Sequence, residues 1–370
     1  MKITKIIATP VNVSRKRAFG KVTRTALGPA DISEHGIVEV YTNEGIIGLG
    51  ELSSVFARRG KLLCQDVDQR LAPSLIGNNP LNITSALRIM ENVLPDGQLA
   101  IAGVEMALWD IAGKYANIPV YQLLGGKMRE RIQLSYSVPY GNPNEMAEFA
   151  LEKANEGFRT IKVKVGQGFD KDVEAVRLIR EAVGDEHRVR VDANMAMKNA
   201  KEAIKYVNKI LPFDPELLEQ PVPPNKLQIM AEIRKSVPIP IMADESVGHP
   251  NEAMNVVRNN AADIMNIYVT ESGGIQNAAR IFTISEQAGL SCMIGSMPEL
   301  GIGTAAQIHL GIAMPNLDID SDTCGVLYQE EDLLLNPLNI EKGVAYVPEG
   351  PGLGVELDQK AFKRAMKRAV

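Results

Sequence analysis

"TIKVKV", residues 160–165, sets Ile161, Val163 and Val165 on one face of an extended strand and Lys162 and Lys164 on the other. An exposed edge strand can also carry lysines this way. The next apolar run, "RVRVDAN" at 188–194, repeats the pattern: Arg188, Arg190, Asp192 and Asn194 face one way, Val189 and Val191 the other. Two neighbouring strands with charged faces pack poorly unless those faces line a barrel interior used for chemistry. From about residue 131 strands and helices alternate at a period of roughly 22–30 residues. Strands read near 132–138, 160–165, 188–192, 216–219, 240–244, 263–268, 291–295 and 317–320, with amphipathic stretches such as "DVEAVRLIREAVG" between them. Eight strands with alternating helices argue for an α/β fold of the (β/α) barrel type.

Three carboxylates recur along these strands. Asp192 closes "RVRVDAN", Glu219 closes "ELLEQP" and Asp244 sits in "IPIMADES", at intervals of 27 and 25 residues. Each interval is about one strand plus one helix, and parallel barrel strands deliver their C-terminal ends to a single mouth. Three hard oxygen ligands there suit a Mg²⁺-like ion. A proton next to a carboxylate is weakly acidic because its removal creates a dianionic enediolate, and a bound Mg²⁺ would stabilise that charge. Lys164 is the candidate base. Its free pKa of about 10.4 should fall beside Lys162 and the ion, while Lys162 can hydrogen-bond the substrate carboxylate.

Residues before the barrel read as α+β. "TKIIATPVNV" (4–13) is a strand, "GIVEVYT" and "IIGLGEL" make a hairpin about Asn43–Gly45, and helices are expected near 61–75, 81–93 and 100–116. The last helix is rich in small residues that allow close packing. Boundaries are expected at 1–128, 129–325 and 326–370, the final turn-rich segment packing back on the first. A net charge of −5 offers no general attraction to nucleic acid or acidic membranes. No apolar run reaches bilayer-spanning length, and the start lacks a signal-peptide core. Cys64, Cys292 and Cys324 are scattered, so neither a disulfide framework nor a cysteine zinc site is expected. A cytoplasmic homo-oligomer acting on a small carboxylate is the expectation. The four histidines have no partner at metal-ligand or triad spacing. Only His249, five residues after Asp244, falls near the expected mouth.

"KVKV", "VDAN", "LEQP", "ADES" and "ESGGI", with "GIIGLGE" and "ALWDIAGK" upstream, resemble the enolase superfamily, in particular its muconate lactonizing enzyme (muconate cycloisomerase)/mandelate racemase-like members. The resemblance runs over nearly the whole chain. It implies a modified TIM (β/α)7β barrel with an N-terminal α+β capping domain that helps select the substrate. It also implies Mg²⁺ on Asp192, Glu219 and Asp244, and Lys164 as the strand-two acid/base. Asn194 and Glu245 would be close-in polar residues, and Glu299 in "GSMPELGIG" a further site residue.

One position departs from that pattern. Where such proteins usually carry a sixth-strand lysine, five residues before the "GG" pair, this chain has Tyr268. A neutral phenol is a poorer base than a tuned lysine. Tyr268 therefore points to one-base chemistry, a β-elimination or a cycloisomerisation; as a barrel-filling aromatic it would play no such part. Racemisation or epimerisation of an amino-acid derivative or dipeptide, with Tyr268 on the second face, is the alternative reaction. A non-catalytic metal-binding barrel is the alternative outside enzymology.

Two substrate clues disagree. Arg15, Lys16, Arg17, Lys21 and Arg24, with Arg58, Arg59 and Lys61, form a basic cap suited to a second anionic group, although solvated loops carry such residues too. Asp318, Asp320 and Asp322 in "LDIDSD" share one parity. They resemble the Asp-x-Asp with which dipeptide epimerases hold a substrate ammonium, Asp320 being the candidate.

Overall fold

The computed structural model describes residues 1–25, 28–54 and 59–369. Its first strands are β1 (Ile3–Ser14), the short pair β2 (Thr23–Thr25) and β3 (Gly28–Ala30), β4 (Ile32–Thr42) and β5 (Ile47–Leu52). β1, β4 and β5 form an antiparallel sheet in that order, β1 pairing with β4 from Ile3↔Thr42 to Ser14↔Ile32. The β4–β5 turn falls at Asn43–Gly45, where Gly45 takes φ +79°. Val38, Val40 and Leu52 pack against helices Ile83–Val93 and Gln98–Ala116. The second helix lies so close to β5 that a Cβ on Gly50 would stand 1.8 Å from the Gly103 carbonyl oxygen. The helix expected at 61–75 runs from Gly60 to Leu75 with a π-helical middle at Val67–Leu71. That wider stretch ends just before Pro73, whose nitrogen cannot donate to the carbonyl four residues back.

The barrel strands follow. β6 (Arg131–Gln133) is outside the barrel sheet, which contains β7 (Ser135–Val138), β8 (Thr160–Lys164), β9 (Arg188–Asp192), β10 (Pro215–Glu219), β11 (Ile241–Ala243), β12 (Ile264–Ile267) and β13 (Ser291–Ile294). The seven pair in parallel in sequence order. The expected strand near 132–138 is thus split at Leu134: β6 turns outward to pair antiparallel with β15 (Val344–Tyr346), which also pairs with β14 (Ile340–Glu341). The eighth expected strand, at 317–320, is reduced to the bridges Cys292↔Leu317 and Leu134↔Ser321. Asp318 N and Ile319 N both turn to the Cys292 carbonyl, which bends the segment. Ser135 N still donates to Ser321 O at 2.9 Å and Asp322 N to Ile294 O at 2.9 Å, so residues 317–322 close the ring between β13 and β7.

Buried carboxylates join the first segment to the barrel. Glu105 accepts from Ile275 N and Gln276 N, both at 2.8 Å, at the start of helix Ile275–Gln287. Glu51 accepts from Leu300 N at 2.7 Å and Gly303 N at 2.8 Å at the start of helix Gly301–Ala313. Helix N-termini favour such anions, but burial dominates and pushes Glu105 up to about 7 and Glu51 up to about 8. The C-terminal helix Gln359–Arg368 packs against β1, and Asn12 Nδ2 donates to Arg368 O. All three cysteines are free and buried.

His35 and His309 are buried structural residues. His309 Nδ1 accepts from Tyr121 N at 3.3 Å and Nε2 donates to Leu353 O at 3.0 Å, so the neutral ring satisfies both neighbours. Burial pushes it down to about 4. Below the ordinary value of about 6.5 the unfolded chain takes a proton that the folded chain refuses, so this stability is present above pH 6.5 and lost as pH falls toward 4. Glu51 and Glu105 have raised values and the opposite linkage, so the informative quantity is wild type minus His309→Gln. Between pH 7 and pH 5 that gap should shrink by on the order of 2 kcal/mol in urea unfolding. A constant gap would mean that His309 titrates alike in both states.

Candidate active site at the barrel mouth

Asp192 ends β9, Glu219 ends β10 and Asp244 follows β11, and in-register pairing of Glu219 with Asp192 and Met242 puts them at one level. All three are buried, and one oxygen from each lies within 4.8 Å of the others. The backbone turns left-handed just beyond two of them, at Asn194 (φ 38°) and Gln220 (φ 32°). Gln220 Oε1 accepts from Asp244 N at 2.9 Å while its Nε2 donates to Ser246 Oγ, tying two carboxylate-bearing loops together. Burial and the neighbouring carboxylates push Glu219 and Asp244 up. Glu219 Oε2 is buried without a hydrogen-bond partner. Anionic oxygens crowded against their own repulsion, one of them unpartnered, are a donor set that fits a hard dication.

Lys162 and Lys164 rise from β8 beside this cluster. Lys162 Nζ donates to Glu219 Oε1 and Asp322 Oδ2, both at 2.7 Å, and stands 3.1 Å from Asp192 Oδ2. Burial works against its charge, but Asp322, Glu219, Asp192 and Asp244 outweigh burial and hold it well above the usual lysine range. Lys164 Nζ pairs with Asp192 Oδ2 at 2.5 Å and stays partly open to the cavity. Although burial opposes it, the charges of Lys164 and Lys162 keep Asp192 below the ordinary carboxylate range.

Tyr268 follows β12, four positions from β8 around a ring of seven strands and one closing segment. Its hydroxyl donates to Asp244 Oδ2 at 3.4 Å and accepts from Asn266 Nδ2 at 3.4 Å. The ring fits only because residue 295 is glycine: a Cβ there would stand 2.3 Å from the Tyr268 ring. Burial, followed by Asp244 and Glu219, pushes the phenol well above its ordinary value.

These groups open onto a cavity of about 850 Å³. Lys162, Lys164, Asn194, Asp244, Tyr268, Ser296 and Asp322 line its floor. Its outer wall includes Arg15, Lys16, Arg17 and Phe19 from the first segment and one face of helix Pro143–Asn155. That helix contributes Glu145, Glu148, Phe149, Glu152 and Lys153, a stripe at helical spacing. Phe149 meets Phe19 edge-on at 5.3 Å, and Tyr136 on β7 meets Tyr328 at 4.9 Å.

Several expected site residues lie elsewhere. Arg24 is exposed on β2 and is not part of the cavity wall; its carbonyl accepts from Tyr140 N. Arg58 lies outside the described residues. Asp320 has the right parity but sits one layer too deep, bound to Arg159 and to Thr160 at the start of β8. Asp322, two residues on, reaches the Lys162 layer. Glu299 is buried behind the wall formed by Ser296, Met297 and Pro298, accepting from Ser296 Oγ at 2.5 Å. Glu245 meets Asn194 Nδ2 at 3.2 Å. His249 caps helix Pro250–Asn259. Asn266, which also donates to Glu219 Oε1 at 3.1 Å, had no flag in the sequence beyond its parity with Tyr268.

Residues 145–361 match the family described as enolase C-terminal domain-like, and residues 8–125 match the mandelate racemase/muconate lactonizing enzyme N-terminal domain. The chain belongs to the mandelate racemase/muconate lactonizing enzyme family of the enolase superfamily. A hydrophobic dipeptide epimerase of Enterococcus faecalis is 34% identical over 96% of this chain and 99% of its own. Muconate cycloisomerase 1 of Rhodococcus opacus is 35% identical over 80% of each chain. Muconate lactonizing enzyme from Pseudomonas fluorescens, solved with muconolactone, superposes with a TM-score of 0.94 at 29% identity, covering 98% of this chain and 99% of that one. The E. faecalis dipeptide epimerase, solved with Mg and L-Leu-L-Tyr, superposes with a TM-score of 0.90 at 32% identity, covering 96% and 100%. Members of this family are enzymes, and this chain is an isomerase or lyase of the enolase superfamily with the acidic triad in place.

Proposed function

We propose that Asp192, Glu219 and Asp244 hold Mg²⁺, that Lys164 takes the α-proton of a substrate carboxylate, and that one base suffices. The reaction is then a β-elimination or a cycloisomerisation. The observation that carries this reading is the asymmetry of the mouth: Lys162 and Lys164 stand on β8, and the facing position is Tyr268. Its hydroxyl is shared with Asp244 and Asn266, and no cation contacts it among the described residues. A Mg²⁺ on the triad would supply the positive charge against which a substrate carboxylate takes up a second negative charge. Lys162, fixed as a cation by Glu219 and Asp322, holds that carboxylate by hydrogen bonding. Lys164 receives the proton on Nζ as the C–H bond breaks, and the electron pair left on carbon then expels a leaving oxygen.

A second reading, epimerisation with Tyr268 as the other acid/base, draws on the dipeptide epimerase relative that spans nearly the whole chain. Tyr268→Phe separates the two. With one base, the variant turns over more slowly, by up to ~10²–10³ if the hydroxyl donates to developing charge, and gives the same product. With two bases, the enantiomer whose α-proton faces Lys164 still exchanges with D₂O while its mirror image becomes inert. Proton exchange followed by NMR on both enantiomers of N-acyl amino acids and dipeptides decides the matter; we expect no such asymmetry.

A further inference from the structure

Lys164 is the last residue of β8, and the peptide that follows it is held from three sides. Val165 N donates to Asp192 O at 2.9 Å, beside the end of β9. Val165 O accepts from the Tyr140 hydroxyl at 2.8 Å. Gly166, Gln167 and Gly168 then turn into helix Phe169–Val183, and their three backbone N–H groups donate to the buried Asp172 carboxylate at 2.9, 3.1 and 3.2 Å. Gly166 and Gly168 take φ +129° and +127° in this turn, a region open to glycine. Gly166 also lets the phenol in: a Cβ there would stand 2.5 Å from Tyr140 Oη. At its backbone Tyr140 reaches the first segment. Tyr140 N donates to Arg24 O at 2.9 Å on β2, which pairs with β3. Thr23, next to Arg24, lines the cavity, whereas Tyr140 is not among the residues that do. One side chain therefore spans from the strand pair at the cavity wall to the residue after Lys164.

We infer that Tyr140 is a positioning residue for Lys164, and that it ties the docking of the β2–β3 pair at the cavity wall to the setting of that lysine against Asp192. The consequence for the reaction rests on the reading of Lys164 as the base; the link itself does not. Lys164 Nζ meets Asp192 Oδ2 at 2.5 Å, so its place depends on how the end of β8 sits against the end of β9. A reacting group displaced by about 1 Å loses up to ~10² in rate. With β2 docked, the Tyr140 backbone is anchored at Arg24 O and its hydroxyl pins the Val165 carbonyl. With β2 lifted, that anchor is gone, and the turn keeps only Asp192 O and the Asp172 carboxylate. A single hydrogen bond joins the two equilibria, so each biases the other about five- to tenfold, the net value of one such bond.

Tyr140→Phe keeps the ring and the backbone N–H and removes only Oη. Backbone amide exchange, read residue by residue by mass spectrometry, should quicken about five- to tenfold at Gly166, Gln167 and Gly168 and also at the amide of residue 140. Asp172→Asn, which opens the turn without touching Tyr140, should quicken the Tyr140 amide as well. Competitive acetylation with acetic anhydride, scored at Lys164 against the exposed Lys342, should rise several-fold in Tyr140→Phe as the amine is freed from Asp192. Unchanged amides at 166–168 in Tyr140→Phe would overturn the link, as would an unchanged Tyr140 amide in Asp172→Asn. Unchanged labelling of Lys164 would overturn the positioning role. On the N-acyl amino acids and dipeptides of the Tyr268 experiment, kcat for α-proton exchange in D₂O should fall about five- to tenfold with KM and Mg²⁺ affinity held. A rise in KM at unchanged kcat would also overturn positioning. If wild type exchanges none of these compounds through Lys164, the proton-abstraction reading falls, and amide exchange and acetylation still decide the link.

Discussion

Asp244→Asn should lower Mg²⁺ affinity by ~10²-fold or more, abolish turnover and leave the barrel folded. The sign of its effect on stability makes the experiment decisive. Asp244 is buried against Glu245, Glu219 and Asp192, which together with burial push it upward. Removing its charge relieves repulsion, so the metal-free variant should unfold no more easily than metal-free wild type. Added Mg²⁺ should then stabilise wild type by about 2.7 kcal/mol at one hundred times its dissociation constant, and the variant by about 0.4 kcal/mol or less at the same concentration. Thermal melts with and without Mg²⁺, alongside calorimetric titration, read both effects. A variant that binds and responds to Mg²⁺ like wild type would end the assignment of Asp244 as a ligand. Glu219→Gln should follow the same pattern, with an added cost because Lys162 and Asn266 both donate to Glu219 Oε1.

Lys164→Ala should stop α-proton exchange, a loss of ~10²–10⁴-fold for a positioned base, while keeping Mg²⁺ binding. Its amine pairs with Asp192 alone and is partly exposed, so little packing is lost. Lys162→Ala tests a different property. Lys162 is fully buried among Glu219, Asp322 and Asp192, and deleting it leaves Glu219 and Asp322 without their cation while Asp192 keeps Lys164. Breaking such a buried cluster typically costs about 3–5 kcal/mol. The two variants should therefore diverge: Lys164→Ala stable and inert in exchange, Lys162→Ala destabilised before any kinetic effect is read. Urea unfolding and D₂O exchange on the same preparations separate them. Wild-type exchange in Lys164→Ala would move the search for the base to Tyr268, since Glu299 lies behind the wall and His249 caps a helix.

Much of this was legible in the chain itself. Alternation at period two, with charge on one parity and valine on the other, is a local property, so β8 and β9 and the inward aim of Lys162, Lys164 and Asp192 could be read without knowing any contact. The 27- and 25-residue intervals likewise carried the triad, because parallel strands joined by single helices leave their ends little choice of position. Parity says which way a residue points, however, and not how deep it lies. Asp320 and Asp322 are identical by that measure. Only the register of residues 317–322 against Gln133, Ser135 and Ile294 decides that Asp320 falls beside Thr160 and Asp322 beside Lys162. The outer wall was legible only in part: Arg15, Lys16 and Arg17 stood out as a basic cap, but the residues they face could not be read. Arg15, Phe149 and Tyr328 are separated by 134 and 179 residues and share no periodicity. They meet because Glu51 and Glu105 seat the first segment on barrel helices while the C-terminal segment folds back along β1. Local pattern determined the strands and the chemistry they carry; long-range packing alone decided which residues of distant segments meet in the wall.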